Sequence, residues 1–281
     1  MTKDGSTSRV GVVVLNWNGW RDTLACLASL QKLDYPDFDL IVVDNGSTDD
    51  SVQHILAHQP AVTLLQTGAN LGFGGGCNVG IRYALGVGAD YIWLINSDAT
   101  VAVGALSALV TVAQGNPSLG AVGSLLFDAG GVDRIQLWGG GRVNLWTGRS
   151  HHQRVPAALD FVSGASMLLR REALQQVGLF DDRSFFMYWE DTDLGARLRQ
   201  AGWLLGVAEQ SRVWHKQSAS LGRGSPLLDQ YFTRSALRFF RKHAPIPWVP
   251  TVSLMVMMLL KRVFCADSQR ACAVLKGFVD A

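Results

Sequence analysis

The 281-residue sequence is short of several features that would restrict its role at once. Its four cysteines (Cys26, Cys77, Cys265 and Cys272) form no CxxC pair and no metal spacing. Neither a zinc knuckle nor a disulfide framework is encoded, and the thiols read as reduced and mostly buried. A membrane-spanning helix needs about 20 apolar residues; the longest apolar run, residues 249–260, is shorter and contains Pro250. Charge is scarce and balanced, at 17% of residues with a formal net charge of +2. The basic residues are dispersed along the chain, so no nucleic-acid footprint is present. Residues 1–8 are polar rather than a basic-then-apolar leader, so a cytoplasmic location is expected. Repeats and low-complexity runs are missing as well.

What the chain does have is hydrophobic residues, 48% of the total, arranged in a recurring order. Residues 10–15 (VGVVVL), 40–43 (LIVV), 62–65 (VTLL) and 91–95 (YIWLI) are unbroken apolar runs, the mark of strands buried on both faces. Helical spacing follows each of them, and residues 119–127 form a further strand after a helix near 102–114. Strands alternating with helices give an α/β fold whose sheet is mostly parallel. Ligands of such sheets sit outside the carboxyl ends of the strands. Three of these strands stop in polar clusters, Asn16/Asn18, Asp44/Asn45 and Asn96/Asp98, which should share one edge and one ligand. Residues 128–160 lose the pattern and read as a hairpin or long loop over that edge.

A carboxylate delivered by a dry strand is costly unless it is paired or binds a metal, which singles out Asp98. The glycine-rich stretch 70–78 (NLGFGGGCN) fails the dinucleotide fingerprint, because Cys77 stands where a third small residue is needed. It reads equally as a flexible turn and as a loop letting backbone approach a ligand closely. In VVDNGSTDD, helix capping accounts for Ser47 onward but leaves Asp44 unexplained, so Asp44 is expected to meet a base imide. In FFMYWEDTDLGARLRQAG, Leu194, Leu198 and Ala201 share a helical face, so Glu190, Asp191 and Asp193 crowd a helix N-terminus. Acids there gain about 0.3–1 kcal/mol from the macrodipole, and Asp193 can pair with Arg197 one turn on. The aromatic approach 185–189 has no part in capping, and a carboxylate against an apolar wall takes a proton more readily, which suits a general base. One of the three acids is therefore expected to be catalytic. His215, taken alone, reads as structural.

In this order the pieces resemble family 2 glycosyltransferases of the GT-A fold, particularly the rhamnosyltransferase-like bacterial members. The likeness runs from VVVLNWNG through VVDNGSTDDS, NLGFGGGCNVGIRYAL, LINSDA, FVSGASMLLRREALQQVGLFD and FFMYWEDTDLGARLRQAGW to WHKQSASLG, over residues 10–222. It implies a Rossmann-like sheet flanked by helices, with a catalytic domain over 1–225 and a C-terminal helical region over 226–281. It implies an inverting enzyme taking a nucleoside-diphosphate sugar, of dTDP or UDP type with dTDP-rhamnose as the first guess. The acceptor implied is a glycan or polyprenyl-linked hydroxyl in cell-surface polysaccharide synthesis. By the same resemblance Asp44 holds the nucleobase, with Asn16, Asn18, Asn45, Gly72, Asn78 and Asn96 as further donor contacts. The metal-binding segment corresponds to Asn96-Ser97-Asp98, which makes Asp98 and His215 the ligands of a divalent cation, magnesium or manganese. Asp191, next to Glu190, corresponds to the catalytic base.

Two rival readings are a sugar-nucleotide nucleotidyltransferase and a non-catalytic sugar-nucleotide-binding module. The first needs a lysine- or arginine-bearing glycine loop after the first strand, where Asn16-Trp17-Asn18-Gly19 stands instead; the second has no need of the acids at 190–193. In the tail, residues 248–260 are too short to span a bilayer yet apolar, with Arg241, Lys242 and His243 before them and Lys261 and Arg262 after. That pattern fits a helix lying on an anionic membrane surface, and equally a core helix or a homodimer contact.

Overall fold

The structure is a computed structural model and describes residues 7–130, 134–216, 225–264 and 267–281. Its first half alternates as the hydrophobic runs require: β1 (Val10–Asn16), α1 (Trp20–Leu30), β2 (Phe38–Asp44), α2 (Ser51–His58), β3 (Thr63–Gln66), α3 (Gly72–Gly86) and β4 (Tyr91–Asn96). Next come β5 (Ala99–Val101), α4 (Ala105–Gly115), β6 (Leu119–Asp128), β7 (Ile135–Trp138), β8 (Gly140–Val143), β9 (Ser150–His152), β10 (Phe161–Val162) and β11 (Ser166–Arg170). The chain ends with α5 (Arg171–Val177), α6 (Glu190–Gln200), β12 (Leu204–His215), α7 (Pro226–His243), α8 (Trp248–Phe264) and α9 (Ser268–Val279).

The main sheet has the order β3-β2-β1-β4-β11-β6-β12-β5, with β7 added to β6. Its first four strands are parallel; β11 then runs antiparallel between β4 and β6, so the far half is mixed. Successive residues of one strand serve opposite faces, as the pleat demands. Val12, Val14 and Trp93 enter one apolar cluster, while Val13, Leu94 and Ile92 enter the other. Register pairs Asn16 with Asp44 and Leu15 with Asn96, which brings the three polar strand ends to one edge.

One expectation changes. The glycine-rich stretch is the first half of α3 rather than a loop. A Cβ on Gly80 would run into Val13, so these glycines let the helix lie directly on β1. Gly72 opens the helix at φ +76°, where a side chain would strike the Phe186 carbonyl. Of the two forms expected for 128–160, a hairpin is present among the described residues: β8 and β9 pair antiparallel and form a small sheet with β10, while β7 extends the main sheet. Among the cysteines, Cys26 and Cys77 are buried but Cys272 is exposed, while Cys265 lies outside the described residues, as do residues 217–224 at the end of the WHKQSASLG stretch.

The tail helices share a core with the acidic motif. Phe185 and Trp189 pack with Ala236, Phe239, Phe240 and Val274 in one buried cluster. The Trp189 ring lies 5.0 Å from that of Phe239 and 5.2 Å from that of Phe240. Ser235 Oγ donates to the Met187 carbonyl at 2.8 Å, and an Arg238 nitrogen to that of Ser184 at 2.9 Å. A boundary at 225/226 therefore cuts the chain where its packing is continuous. Asp193 adds a polar clamp. Its fully buried side chain receives Arg197 Nε at 2.7 Å, as the helical spacing suggested, and also His243 Nε2 at 2.7 Å and Lys242 Nζ at 2.9 Å. Burial pushes the Asp193 carboxyl up, but His243, Arg197 and Lys242 outweigh it and hold it at about 2.

Replacing Asp193 with Ala leaves three donors facing a dry gap. Removing one partner of a buried ionic group typically costs about 3–5 kcal/mol. Urea unfolding of Asp193→Ala should show a loss of that order; a loss below about 1 kcal/mol would mean the clamp is a surface feature.

Candidate active site

The polar strand ends divide into a wall and its supports. Asn16 is fully buried; its Nδ2 donates to Asp44 Oδ1 at 2.8 Å, and its Oδ1 accepts from Thr23 Oγ1 at 2.8 Å. Asp44 is 3% exposed and also accepts from the Ser47 N–H and hydroxyl at 3.0 and 2.6 Å. Asn18, at φ +51°, accepts the Thr48 N–H at 2.8 Å. Asn45 accepts from the Leu71 N–H and donates to the Gly72 carbonyl, which fixes the start of α3. Asn78 donates to the Phe180 carbonyl and accepts the Phe180 N–H, tying α3 to the segment before the acidic motif.

A cavity of about 260 Å³ opens at this edge, walled by Leu15, Trp17, Asn45, Gly72, Asn96 and Asp98 among others. Of the expected donor contacts, Asn45, Gly72 and Asn96 line it, whereas Asn16, Asn18, Asp44 and Asn78 do not. Those four have side chains hydrogen-bonded to protein neighbours, Asp44 to Asn16 and Ser47 beside the cavity edge. Trp17 supplies an aromatic surface the sequence reading overlooked, although it sits between two asparagines that were singled out.

Asp98 follows β4, and β12 brings His215 opposite Ala99. Asp98 Oδ1 and His215 Nε2 are 3.2 Å apart, and Asn96 Nδ2 also stands 3.2 Å from that nitrogen. The far side of the ring is fixed by Gln136 on β7. Gln136 Nε2 donates to Asp128 Oδ1 and to the His215 carbonyl, so its Oε1 is left to accept from His215 Nδ1 at 2.9 Å. In the neutral ring this assigns the proton to Nδ1 and turns the Nε2 lone pair toward a carboxylate. A carboxylate and an imidazole lone pair converging is a donor set that suits a divalent cation. Among the described residues no group of three or more His, Cys, Asp or Glu gathers in this way. Asp98 and His215 thus fit a divalent cation that would need further ligands from outside the protein side chains. Gln136 had no signal in the sequence, because its partner is 79 residues away.

Across His215 lies a second cavity of about 380 Å³. Asn96, Phe73, Met187, Tyr188 and His215 border both cavities, while Glu190, Asp191 and His152 border only the second. The acids reach it through an unusual backbone, with Tyr188 and Trp189 at φ +66° and +70°. Asp191 Oδ2 accepts the Gly164 N–H at 3.1 Å, and Oδ1 accepts the Thr192 N–H at 2.7 Å. Burial pushes the Asp191 carboxyl up, only partly offset by those bonds and by His152. Burial, and then the Asp191 charge, push Glu190 up to about 8, and Glu190 Oε2 is buried without a protein partner. Burial thus holds both carboxyls above their ordinary range, and Glu190, at about 8, keeps its proton at neutral pH. The two acids therefore border a cavity that also reaches His215 and Asn96 but not Asp98.

Residues 11–178 match the family described as Glycosyl transferase family 2. The N-acetylglucosaminyl-diphospho-decaprenol L-rhamnosyltransferase of Mycobacterium tuberculosis is 35% identical over 224 residues, 70% of this chain and 72% of that protein. Two solved structures share the fold. One is a mannosyltransferase of Pyrobaculum calidifontis in complex with GDP-Man and Mn2+ (TM-score 0.63, 20% identity, 99% of this chain and 77% of that one). The other is GalNAc-T7 with UDP, GalNAc and Mn2+ (TM-score 0.68, 17% identity, 85% of this chain and 48% of that one).

The Glu190 proton has a measurable consequence. The folded protein binds it more tightly than the unfolded chain does, so this group lowers stability as pH rises from the ordinary glutamate value of 4.5 to about 8. Glu190→Gln abolishes that contribution. Its urea midpoint relative to the parent should climb across this window; a difference that stays flat with pH would show Glu190 ionising normally.

Proposed function

Given that the chain belongs to glycosyl transferase family 2, we propose an inverting transfer from a pyrimidine nucleoside-diphosphate sugar, dTDP- or UDP-linked, to a hydroxyl of a lipid-linked glycan. L-Rhamnose is the first candidate for the sugar. The carrying observation is that the two cavities meet at Asn96 and His215, with Asp98 on one side and Asp191 on the other. A donor in the first cavity would stack its base near Trp17 and set its diphosphate against Asp98 and His215. A divalent cation held there supplies positive charge against the departing diphosphate. The acceptor hydroxyl in the second cavity would give its proton to Asp191 while it attacks the anomeric carbon from the side opposite the diphosphate. Glycosyl cleavage of this kind passes through an oxocarbenium-like state, and a base on the far face gives inversion. General-base action is typically worth about 10²–10⁴-fold. The Gly164 and Thr192 N–H groups aim the Asp191 carboxylate, and protonated Glu190 spares it a like charge.

The lipid-linked acceptor is supported by the mycobacterial relative, a rhamnosyltransferase named for a decaprenol-linked substrate. It is also supported by α8, which exposes Trp248, Val252, Val256 and Leu260 at four-residue spacing, one stripe on one helix face. Among the described residues no helix is long and apolar enough to cross a membrane. Peripheral attachment to the inner face of a membrane is therefore the arrangement proposed, with 226–281 serving both as the backing of the acidic motif and as the membrane-facing side.

Titration with dTDP- and UDP-sugars plus manganese tests the donor half. Asp98→Ala should lose metal-dependent donor binding, and unchanged binding by that variant would remove Asp98 from the site. Asp191→Asn should bind donor normally and lose turnover by about 10²–10⁴-fold; full turnover would move the base elsewhere. Flotation with anionic vesicles should recover the protein at low salt and not at high salt, and no recovery at low salt would remove the membrane from the scheme.

A further inference from the structure

Beyond the donor and base cavities lies a third, of about 580 Å³, between the β8–β9 hairpin and α8. It continues the base cavity, since Ser150 and Phe232 line both. Its composition differs sharply from that of its neighbour. Leu254, Met257 and Met258 make an apolar floor, and Arg149, Lys261 and Arg262 stand at its walls. Among the described residues neither Arg149 nor Lys261 has an ion-pair partner, and both are exposed. Asp229, also in the wall, is already neutralised twice, by Arg262 at 2.7 Å and Arg270 at 2.6 Å. Arg262 itself is 11% exposed, and its Nε is buried without an acceptor. The cavity thus combines surplus positive charge, an orphaned buried donor and a greasy floor.

From this we infer that the third cavity is a subsite for the diphosphate of a prenyl-diphosphate-linked acceptor. The inference rests on the lipid-linked reading above and adds the residues that would recognise the linkage. A diphosphate is the chemistry that Arg149 and Lys261 fit, with several oxygens to be shared among cations on opposite walls. Its position follows from continuity: an acceptor whose hydroxyl lies at Asp191 extends past Phe232 and Ser150 into this space. The methionine-lined floor accommodates the first isoprene units, because unbranched thioether side chains adapt to irregular chains. From there the lipid would leave over α8, whose outer stripe carries Val256 and Leu260.

The test uses the full chain in excess EDTA, so that metal-dependent binding in the donor cavity does not contribute. Farnesyl diphosphate, inorganic diphosphate and farnesol are titrated separately by calorimetry. The parent should bind farnesyl diphosphate at least tenfold more tightly than either fragment. The double variant Arg149→Gln/Lys261→Gln should lose at least tenfold of that affinity while keeping its melting temperature and its manganese-dependent binding of nucleoside diphosphate. Lys261→Arg should retain the affinity. Equal affinity in parent and double variant would overturn the subsite. A kinetic arm separates this inference from the reading beneath it. If a farnesyl-diphosphate-linked sugar is glycosylated and its KM is unchanged in the double variant, the subsite is wrong and the acceptor class stands. If calorimetry behaves as stated but that acceptor is never glycosylated, the subsite stands and the acceptor class falls.

Discussion

The site depends on one strained turn. Tyr188 and Trp189 both hold positive φ, a conformation that costs bulky residues about 1–3 kcal/mol each and persists only where the surroundings enforce it. Here the enforcement is visible. Trp189 is held among Phe232, Phe239 and Phe240, and Ser235 secures the Met187 carbonyl. One turn further on, Asp193 is clamped from α7 by Lys242 and His243. The turn swings the start of α6 so that Glu190 and Asp191 face the cavity bordered by His215. Of the roles open to the C-terminal helices, core packing is the one visible here, since α7 fixes the direction of the acids.

The two halves of the site are tuned in opposite ways. Beside the first cavity a chain of polar contacts, Asp128–Gln136–His215, leaves a lone pair and a carboxylate converging on one point. That arrangement calls for positive charge. Around the second cavity burial works against charge and raises both acids, Glu190 to about 8, while two backbone N–H groups favour the charged form of Asp191. Sheet order explains how both halves come from one domain. β4 and β5 carry Asp98, β12 returns beside β5 with His215, and β11 fills the place between β4 and β6.

The sequence carried the parallel strands plainly, because buried runs such as VGVVVL and YIWLI leave little choice of period. It also carried the acids and the Asp193–Arg197 pair, whose spacing is local. It misled at the glycine run, since glycine lowers helix propensity and nothing local reveals that β1 needs a helix without side chains against it. The Asn16 bond to Asp44 was illegible for a related reason, since it comes through a strand pairing across 28 residues that no motif announces. Gln136 and His152 were missed altogether, because they lie in irregular sequence and acquire meaning only where β7 and β9 fold over the site.

The central claim is that the leaving diphosphate and the base act on opposite faces of the sugar, one from Asp98 and His215 and the other from Asp191. The anomeric configuration of the product reads this directly. Enzymatic product made from a donor of known configuration should show, in its one-bond carbon–proton coupling at the anomeric centre, inversion in a single displacement. Retention would contradict the account, because it would require a nucleophile or a return path on the diphosphate side, where the only polar groups given a role are the cation ligands and the donor contacts.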